Sequence, residues 1–163
     1  MSIPDSVLRW APKARLAAVE AGLPPSLVLA IVWQESAGKQ YAIRPEPGFF
    51  RRYFDRLKVF VAQSASKRDD RWFQFPDLYS ASFGLMQPLY QVAREHGFDP
   101  EFPTDLCDPD LNLQVGCAVL RRKIDRAGGD RNAGILAYNG GGRPQYLTEV
   151  LAKLAAVNAA GVF

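Results

Sequence analysis

Three observations predict a mainly α-helical domain with at most a small β element. Apolar residues recur at helical spacing along most of the 163-residue chain. Helix-opening residues punctuate it at Pro24-Pro25, Asp108-Pro109, Asp130 and Pro144. Glycines stand where those periodic stretches run out, at Gly22, Gly38, Gly97, Gly128-Gly129 and Gly140 to Gly142. The length suits one domain, 1–163, with its own core.

In chain order, residues 5–21 suit a helix whose second half carries Leu16, Ala17, Val19 and Glu20; Pro12 either kinks or restarts it. The next helix covers 25–37. Tyr41 to Gly48 reads as loop or extended chain, because Pro45 and Pro47 restrict the residues before them. Phe49, Phe50, Tyr53, Phe54, Leu57, Phe60 and Val61 then recur at helical spacing between basic residues. Such a stretch suits a helix packing its aromatic face on the core, with base stacking and phosphate contact as the alternative use. Lys67 to Tyr79 reads as an irregular loop, and short strands are expected near 41–44 or 73–83. Further helices are expected from Pro88 to about His96, from Pro109 through Ala127, from Arg131 to Tyr138, and from Pro144 to about Ala160.

An apolar fraction of 48% and a charged fraction of 23% are those of a globular domain. No apolar run approaches the roughly 20 residues that span a bilayer, and the first residues lack the apolar core of a secretory signal. A net charge of +3 mildly favours acidic partners without choosing among them. A helix between Cys107 and Cys117 would hold them roughly 12 Å or more apart, beyond the roughly 7 Å a disulfide tolerates. Two free thiols are therefore expected. The one histidine, His96, has no companion at ligand spacing, so no metal site is expected.

The chemically informative stretch is Leu27 to Ser36, where seven apolar residues lead into Gln-Glu-Ser. On a 3.6-residue period Val28, Ile31, Val32 and Glu35 share a face, so Glu35 stands where an apolar side chain belongs. Burial and the negative end of the helix dipole both raise the pKa of such a carboxylate. That suits a general acid near neutral pH; an ion pair with one of the arginines is the structural alternative.

Two further signals follow. Gly84-Leu-Met86-Gln87 sits within Ser80-Ala-Ser82-Phe-Gly-Leu-Met-Gln-Pro, and Ala137-Tyr138-Asn139-Gly140-Gly141 closes a helix. With Glu35-Ser36 before them, and with Asp108-Pro-Asp-Leu-Asn-Leu-Gln-Val-Gly116 between them, these resemble the catalytic domain of soluble lytic transglycosylases. That superfamily also contains goose-type lysozyme. The resemblance spans about residues 14–145, and the long interval from Glu35 to Gly84 resembles phage-type members carrying an insertion, here about 41–80.

The resemblance implies a lysozyme-like α-helical fold acting, without a cofactor, on the glycan strands of peptidoglycan. Glu35 would protonate the β-1,4 glycosidic oxygen between N-acetylmuramic acid and N-acetylglucosamine. It would then accept the C6 hydroxyl proton, giving a 1,6-anhydro product. Ser36 would position Glu35 or the acetamido group. Ser82, Gly84, Met86 and Gln87 would line the saccharide groove, while Tyr138 would reach Glu35 or the sugar and Asn139 the turn or a sugar hydroxyl. Hydrolysis of the same bond would need a second carboxylate. Asp77 and Glu46 are the residues to weigh, Glu46 being otherwise a solvated loop residue. A non-catalytic saccharide-binding or virion structural module is a further alternative. The expected setting is a monomer, with no nucleic-acid partner and no membrane span, acting in the cell wall or periplasm. Without a classical signal it would be phage-encoded, released through a holin or carried in a virion.

Overall fold

A computed structural model describes residues 1–48, 52 and 80–163 of the protein. The expected helix over 49–61, the loop over 67–79 and Asp77 lie outside the described residues. Those described are mainly helical, as the punctuation predicts. The elements are α1 (Asp5–Leu8), α2 (Ala11–Glu20), α3 (Pro25–Ser36), β1 (Ile43–Pro45), β2 (Ala81–Phe83), α4 (Tyr90–Glu95), a 3-10 helix (Pro103–Cys107), α5 (Pro109–Arg126), α6 (Arg131–Tyr138) and α7 (Gln145–Ala159).

The expected first helix is two. The chain breaks at Arg9 and Trp10, and Pro12 sits in the first turn of α2, where its missing N–H costs nothing. Leu16 and Val19 are exposed, so α2 docks through Ala14, Ala17 and Ala18 instead. Helix α3 is buried from Leu27 through Trp33, as a run apolar on every face requires. It packs between α2 on one side and α7 on the other. Leu113, Cys117, Leu120 and Ile124 of α5 and Tyr146, Val150 and Val157 of α7 complete this core.

The end of α3 is held from the N-terminus. Ala37, with φ of +52°, takes the left-handed position that stops the helix, and Gly38 follows it at +75°. The Ser6 hydroxyl donates to the Ala37 carbonyl at 2.9 Å, and Trp10 Nε1 donates to the Gly38 carbonyl at 2.8 Å. The last turn of α3 is thereby fixed where Glu35 projects.

Strands β1 and β2 pair antiparallel, with Ile43 opposite Phe83, Arg44 opposite Ser82 and Pro45 opposite Ala81. Pro88 does not open α4: its carbonyl accepts from the Phe83 N–H at 3.1 Å, which delays the helix to Tyr90. A second apolar cluster, including Phe83, Tyr90, Leu106, Val115 and Val119, seats this ribbon on α4 and α5. Asp108 and Asp130 cap α5 and α6 through side-chain bonds to two backbone N–H groups each. Cys107 and Cys117 are free and buried. No helix among the described residues is long and apolar enough to cross a membrane.

Candidate active site

Glu35 reaches the wall of a cleft of about 400 Å³ from the last turn of α3. Arg44 and Glu46 from the β1 segment, Ser82 from β2, Gln87, and Tyr138 and Asn139 at the end of α6 line the same cleft. The Glu35 side chain is only 5% exposed. Its Oε1 accepts a hydrogen bond from the Tyr146 phenol at 2.6 Å, and its Oε2 lies 3.5 Å from Arg44 Nη1. Burial raises the Glu35 pKa, and the nearby Glu46 charge adds to the rise; the Tyr146 bond and the Arg44 charge oppose it without reversing it. The Tyr146 phenol is itself pushed up, chiefly by burial and then by Glu35, so it remains a donor. Both sequence alternatives for Glu35 are thus present together: a raised carboxyl and an arginine neighbour.

The short ribbon explains Arg44. Register places Arg44 beside Ser82, and antiparallel partners present their side chains on one face of the pair. Arg44 Nε donates to Glu46 Oε1 at 2.8 Å, and the Ser82 hydroxyl donates to the same oxygen at 3.1 Å. Glu46 therefore lines the cleft, anchored by Arg44 and Ser82 with its side chain still partly exposed. Arg44 spans the two carboxylates, and half-exposed on its own side chain it carries a charge partly screened by solvent.

The Gly-Leu-Met-Gln turn is positioned by Asn112, fully buried on α5. Its Nδ2 donates to the carbonyls of Phe83 at 2.8 Å and Leu106 at 2.6 Å, and its Oδ1 accepts from the Met86 N–H at 2.8 Å. All the amide's principal capacity is used on backbone. Gly84 adopts φ of +70° against that amide, where a Cβ would collide with the Asn112 side chain. Gln87 also takes a left-handed φ, +54°, rare for a residue with a Cβ. Its Nε2 holds the strain in place by donating to the carbonyls of Gly84 at 2.8 Å and Ala42 at 3.0 Å.

Three expected roles change. Met86 does not line the groove: it is fully buried, packed where Gly116 lacks a Cβ, because only a glycine on α5 leaves room for its thioether. Tyr138 donates to the Met86 carbonyl at 2.8 Å rather than to Glu35, which tethers the α6 end to the turn. Ser36 faces away from the carboxylate it follows. Its hydroxyl lies 2.8 Å from the Leu85 carbonyl and 3.1 Å from the Val32 carbonyl, bolting the end of α3 to the turn. Ser82, Gln87, Tyr138 and Asn139 do line the cleft.

Sequence reasoning passed over Tyr146 and Arg44. Tyr146 lies 111 residues from Glu35. Its one signal is a tyrosine in the first turn of the helix that follows the Asn139 to Gly142 run. Arg44 stands among prolines in what reads as loop, and the pairing of β1 with β2 turns it inward.

A family model described as Transglycosylase SLT domain matches residues 13–150. A protein named transglycosylase from Enterobacteria phage PRD1 is 32% identical over 115 residues, covering 69% of this chain. The match covers 36% of that protein, so the chain spans about a third of its relative's length. With most of its residues inside the family match, this chain belongs to the transglycosylase SLT domain family.

Proposed function

We propose that this chain is a peptidoglycan lytic transglycosylase of phage type, cleaving the β-1,4 bond between N-acetylmuramic acid and N-acetylglucosamine. The observation that carries the reading is Glu35 itself. A carboxyl with a pKa raised chiefly by burial opens onto a cleft, with a donor on each oxygen's side. Protonated, Glu35 gives its proton to the glycosidic oxygen as the bond to the anomeric carbon breaks. The sugar's own 2-acetamido group stabilises the charge at that carbon. The carboxylate left on Glu35 is held by the Tyr146 phenol and faces the Arg44 cation, so its charge is stabilised as it forms. It then takes the proton of the C6 hydroxyl while that oxygen bonds to the anomeric carbon. The proton count closes with Glu35 protonated again, and the product is the 1,6-anhydro sugar.

Ser82, Gln87 and Asn139 supply hydroxyl and amide groups along the cleft for sugar contacts. Gly84, Met86 and Ser36 act from beneath, by fixing the turn that carries Gln87, and Tyr138, on the cleft wall, tethers the same turn through the Met86 carbonyl. The segment 41–80 is an insertion within one catalytic domain, and the chain acts as a monomer on the cell wall after release from a phage-infected host or delivery in a virion.

One observation favours a second reading, hydrolysis with Glu46 as base. Arg44 Nη1 lies 3.5 Å from Glu35 and Nε 2.8 Å from Glu46. Across one planar guanidinium the carboxylates are then at most about 9 Å apart, which permits the roughly 6.5–9.5 Å of an inverting pair. Against it, Glu46 Oε1 is engaged by both Arg44 and Ser82. Mass spectrometry of the digest separates the two. The expected muropeptides end in 1,6-anhydro-N-acetylmuramic acid, lighter by one water than the hydrolysed ends; reducing ends alone would sink the transglycosylase reading.

A further inference from the structure

Glu35 lines the cleft, yet its side chain is only 5% exposed. A carboxyl that hands its proton to a polymer has to come within about 2.6–3.2 Å of the accepting oxygen. Some neighbour of Glu35 therefore has to move. Among the described residues four charged or titratable groups act on it: Tyr146 of α7, Tyr138 of α6, and Arg44 and Glu46 of the β1 segment. Tyr146 is almost completely buried, and Tyr138 is tied to the Met86 carbonyl at 2.8 Å. Arg44 is built differently. Its side chain is half-exposed, and it stands on a strand of three residues.

The two oxygens of Glu35 are not equivalent. Oε1 accepts from the Tyr146 phenol at 2.6 Å, so the transferable proton belongs on Oε2. Arg44 Nη1 lies 3.5 Å from that oxygen. A guanidinium has donors and no acceptor, so with the proton on Oε2 two hydrogens would face each other. The observed contact thus suits ionised Glu35, and the acid form needs Nη1 moved away. A second resting place is already engaged. Arg44 Nε donates to Glu46 Oε1 at 2.8 Å, and the Ser82 hydroxyl fixes that same oxygen at 3.1 Å. Among the described residues Arg44 is ion-paired with these two carboxylates alone. On the reading that the cleft takes glycan strands, we infer that Arg44 is a movable cap on the acid. At rest it covers Glu35 Oε2, and an entering saccharide displaces it, so that Glu35 becomes a competent acid only with substrate in place. The bond to Glu46 tethers the cap. It keeps the guanidinium at the cleft wall while Nη1 swings out, and Nη1 returns to Oε2 once the proton has left.

The test compares two pH profiles for the full chain digesting soluble, uncross-linked glycan oligomers. The alkaline limb of kcat/KM reports Glu35 in the free protein, and that of kcat reports it with substrate bound. If substrate displaces the cation, the kcat limb is expected about one unit above the kcat/KM limb. That is the lower end of what a cation beside a carboxylate sets, because Arg44 is half-exposed. Arg44→Gln should raise the kcat/KM limb to meet the kcat limb and leave the kcat limb in place. Glu46→Gln removes the tether, leaves the cation on Glu35 alone, and should keep the limbs apart. Both side chains are partly exposed, so both variants are expected to fold, which their melting checks. Dehydration of Glu35 by bound saccharide would also part the limbs, but equally in wild type and in Arg44→Gln. A gap that persists unchanged in Arg44→Gln therefore overturns the inference, as do coincident limbs in wild type or merged limbs in Glu46→Gln. Release of no muropeptide by the wild type overturns the transglycosylase reading, and the cap with it. Whether the released ends are anhydro or reducing does not bear on the cap, because Glu35 is the acid in both routes.

Discussion

The Tyr146 phenol donates to Glu35 Oε1 at 2.6 Å, joining the first turn of α7 to the last turn of α3 across 111 residues. Tyr146 is itself almost completely buried, so the bond sits where water does not compete well. It stabilises the ionised form of Glu35 and thus moderates a pKa that burial raises. Gln34 reinforces the same helix pair, donating to Glu149 at 2.7 Å and accepting from Lys153 at 2.8 Å.

Removing that phenol should change the pH profile as well as the rate. In Tyr146→Phe the alkaline limb of kcat/KM, where the acid form of Glu35 is lost, is expected to move to higher pH. The rate at the optimum should fall about tenfold or more, since a hydrogen bond to a charged group is worth about 1.5–3 kcal/mol. A limb that stays in place would show that the phenol does not act through Glu35.

Arg44 and Glu46 should move the same limb in opposite directions. The Arg44 charge lowers the Glu35 pKa and the Glu46 charge raises it. Arg44→Gln is therefore expected to shift the limb up, and Glu46→Gln down. Glu46→Gln should also keep activity within about tenfold of wild type, whereas loss of a true catalytic base would cost about 10²–10⁴-fold. Initial rates of wall solubilisation across pH, with each variant's melting checked, read both effects.

Glu35→Gln is expected to lower activity about 10²–10⁴-fold or more, because the amide neither gives nor takes the proton. It should also stabilise the fold at neutral pH. The folded pKa of Glu35 lies above its ordinary 4.5. Below that value the carboxyl is protonated in both states and carries no penalty. As pH rises through the folded pKa, the folded state must bury a charge and stability is lost. The Tm of Glu35→Gln should exceed that of wild type near pH 7 and converge with it below pH 4.5. Each kcal/mol reads as about 2–4 °C for a chain of this size. A Tm gap that does not shrink on acidification would remove the pKa argument.

Asn112→Ala strips three backbone groups of their partner: the Phe83 and Leu106 carbonyls and the Met86 N–H. The expected loss is about 2–5 kcal/mol, at about 1–3 kcal/mol for each group left buried and unsatisfied after partial relaxation. Gly116→Val should cost a comparable amount by driving methyl groups into Met86. Urea unfolding measures both. Stability unchanged in Asn112→Ala would mean the turn holds itself.

Cys117 tests the core from inside. It is fully buried, and its thiol is pushed up to about 12, mainly by burial. Its alkylation is expected to wait on unfolding of α5 from α2, whereas Cys107, 8% exposed at the end of the 3-10 helix, should react first. Equal native-state rates for the two thiols would contradict this packing.

Most helix starts, and the buried position of Glu35, were legible in the sequence because their causes are local. Asp108, Asp130, Pro25 and Pro144 mark helix starts through bonds and angles within a few residues, and α6 runs from Arg131 to Tyr138 as its cap predicts. A carboxylate ending an apolar run on a buried face is likewise visible from spacing alone. The partners of that carboxylate were not legible, because nothing in one segment encodes which distant segment it meets. Pairing of β1 with β2 decided that Arg44 and Ser82 share a face with Glu46. Packing of α7 on α3 decided that Tyr146, rather than Tyr138, meets Glu35. The missing Cβ of Gly116 decided that Met86 belongs to the core, since the room for a side chain is a property of the element facing it. The sequence by itself determined most of the helices and the buried carboxylate that ends α3; the tertiary structure decided which charges and donors surround that carboxylate, because those depend on contacts between residues far apart in the chain.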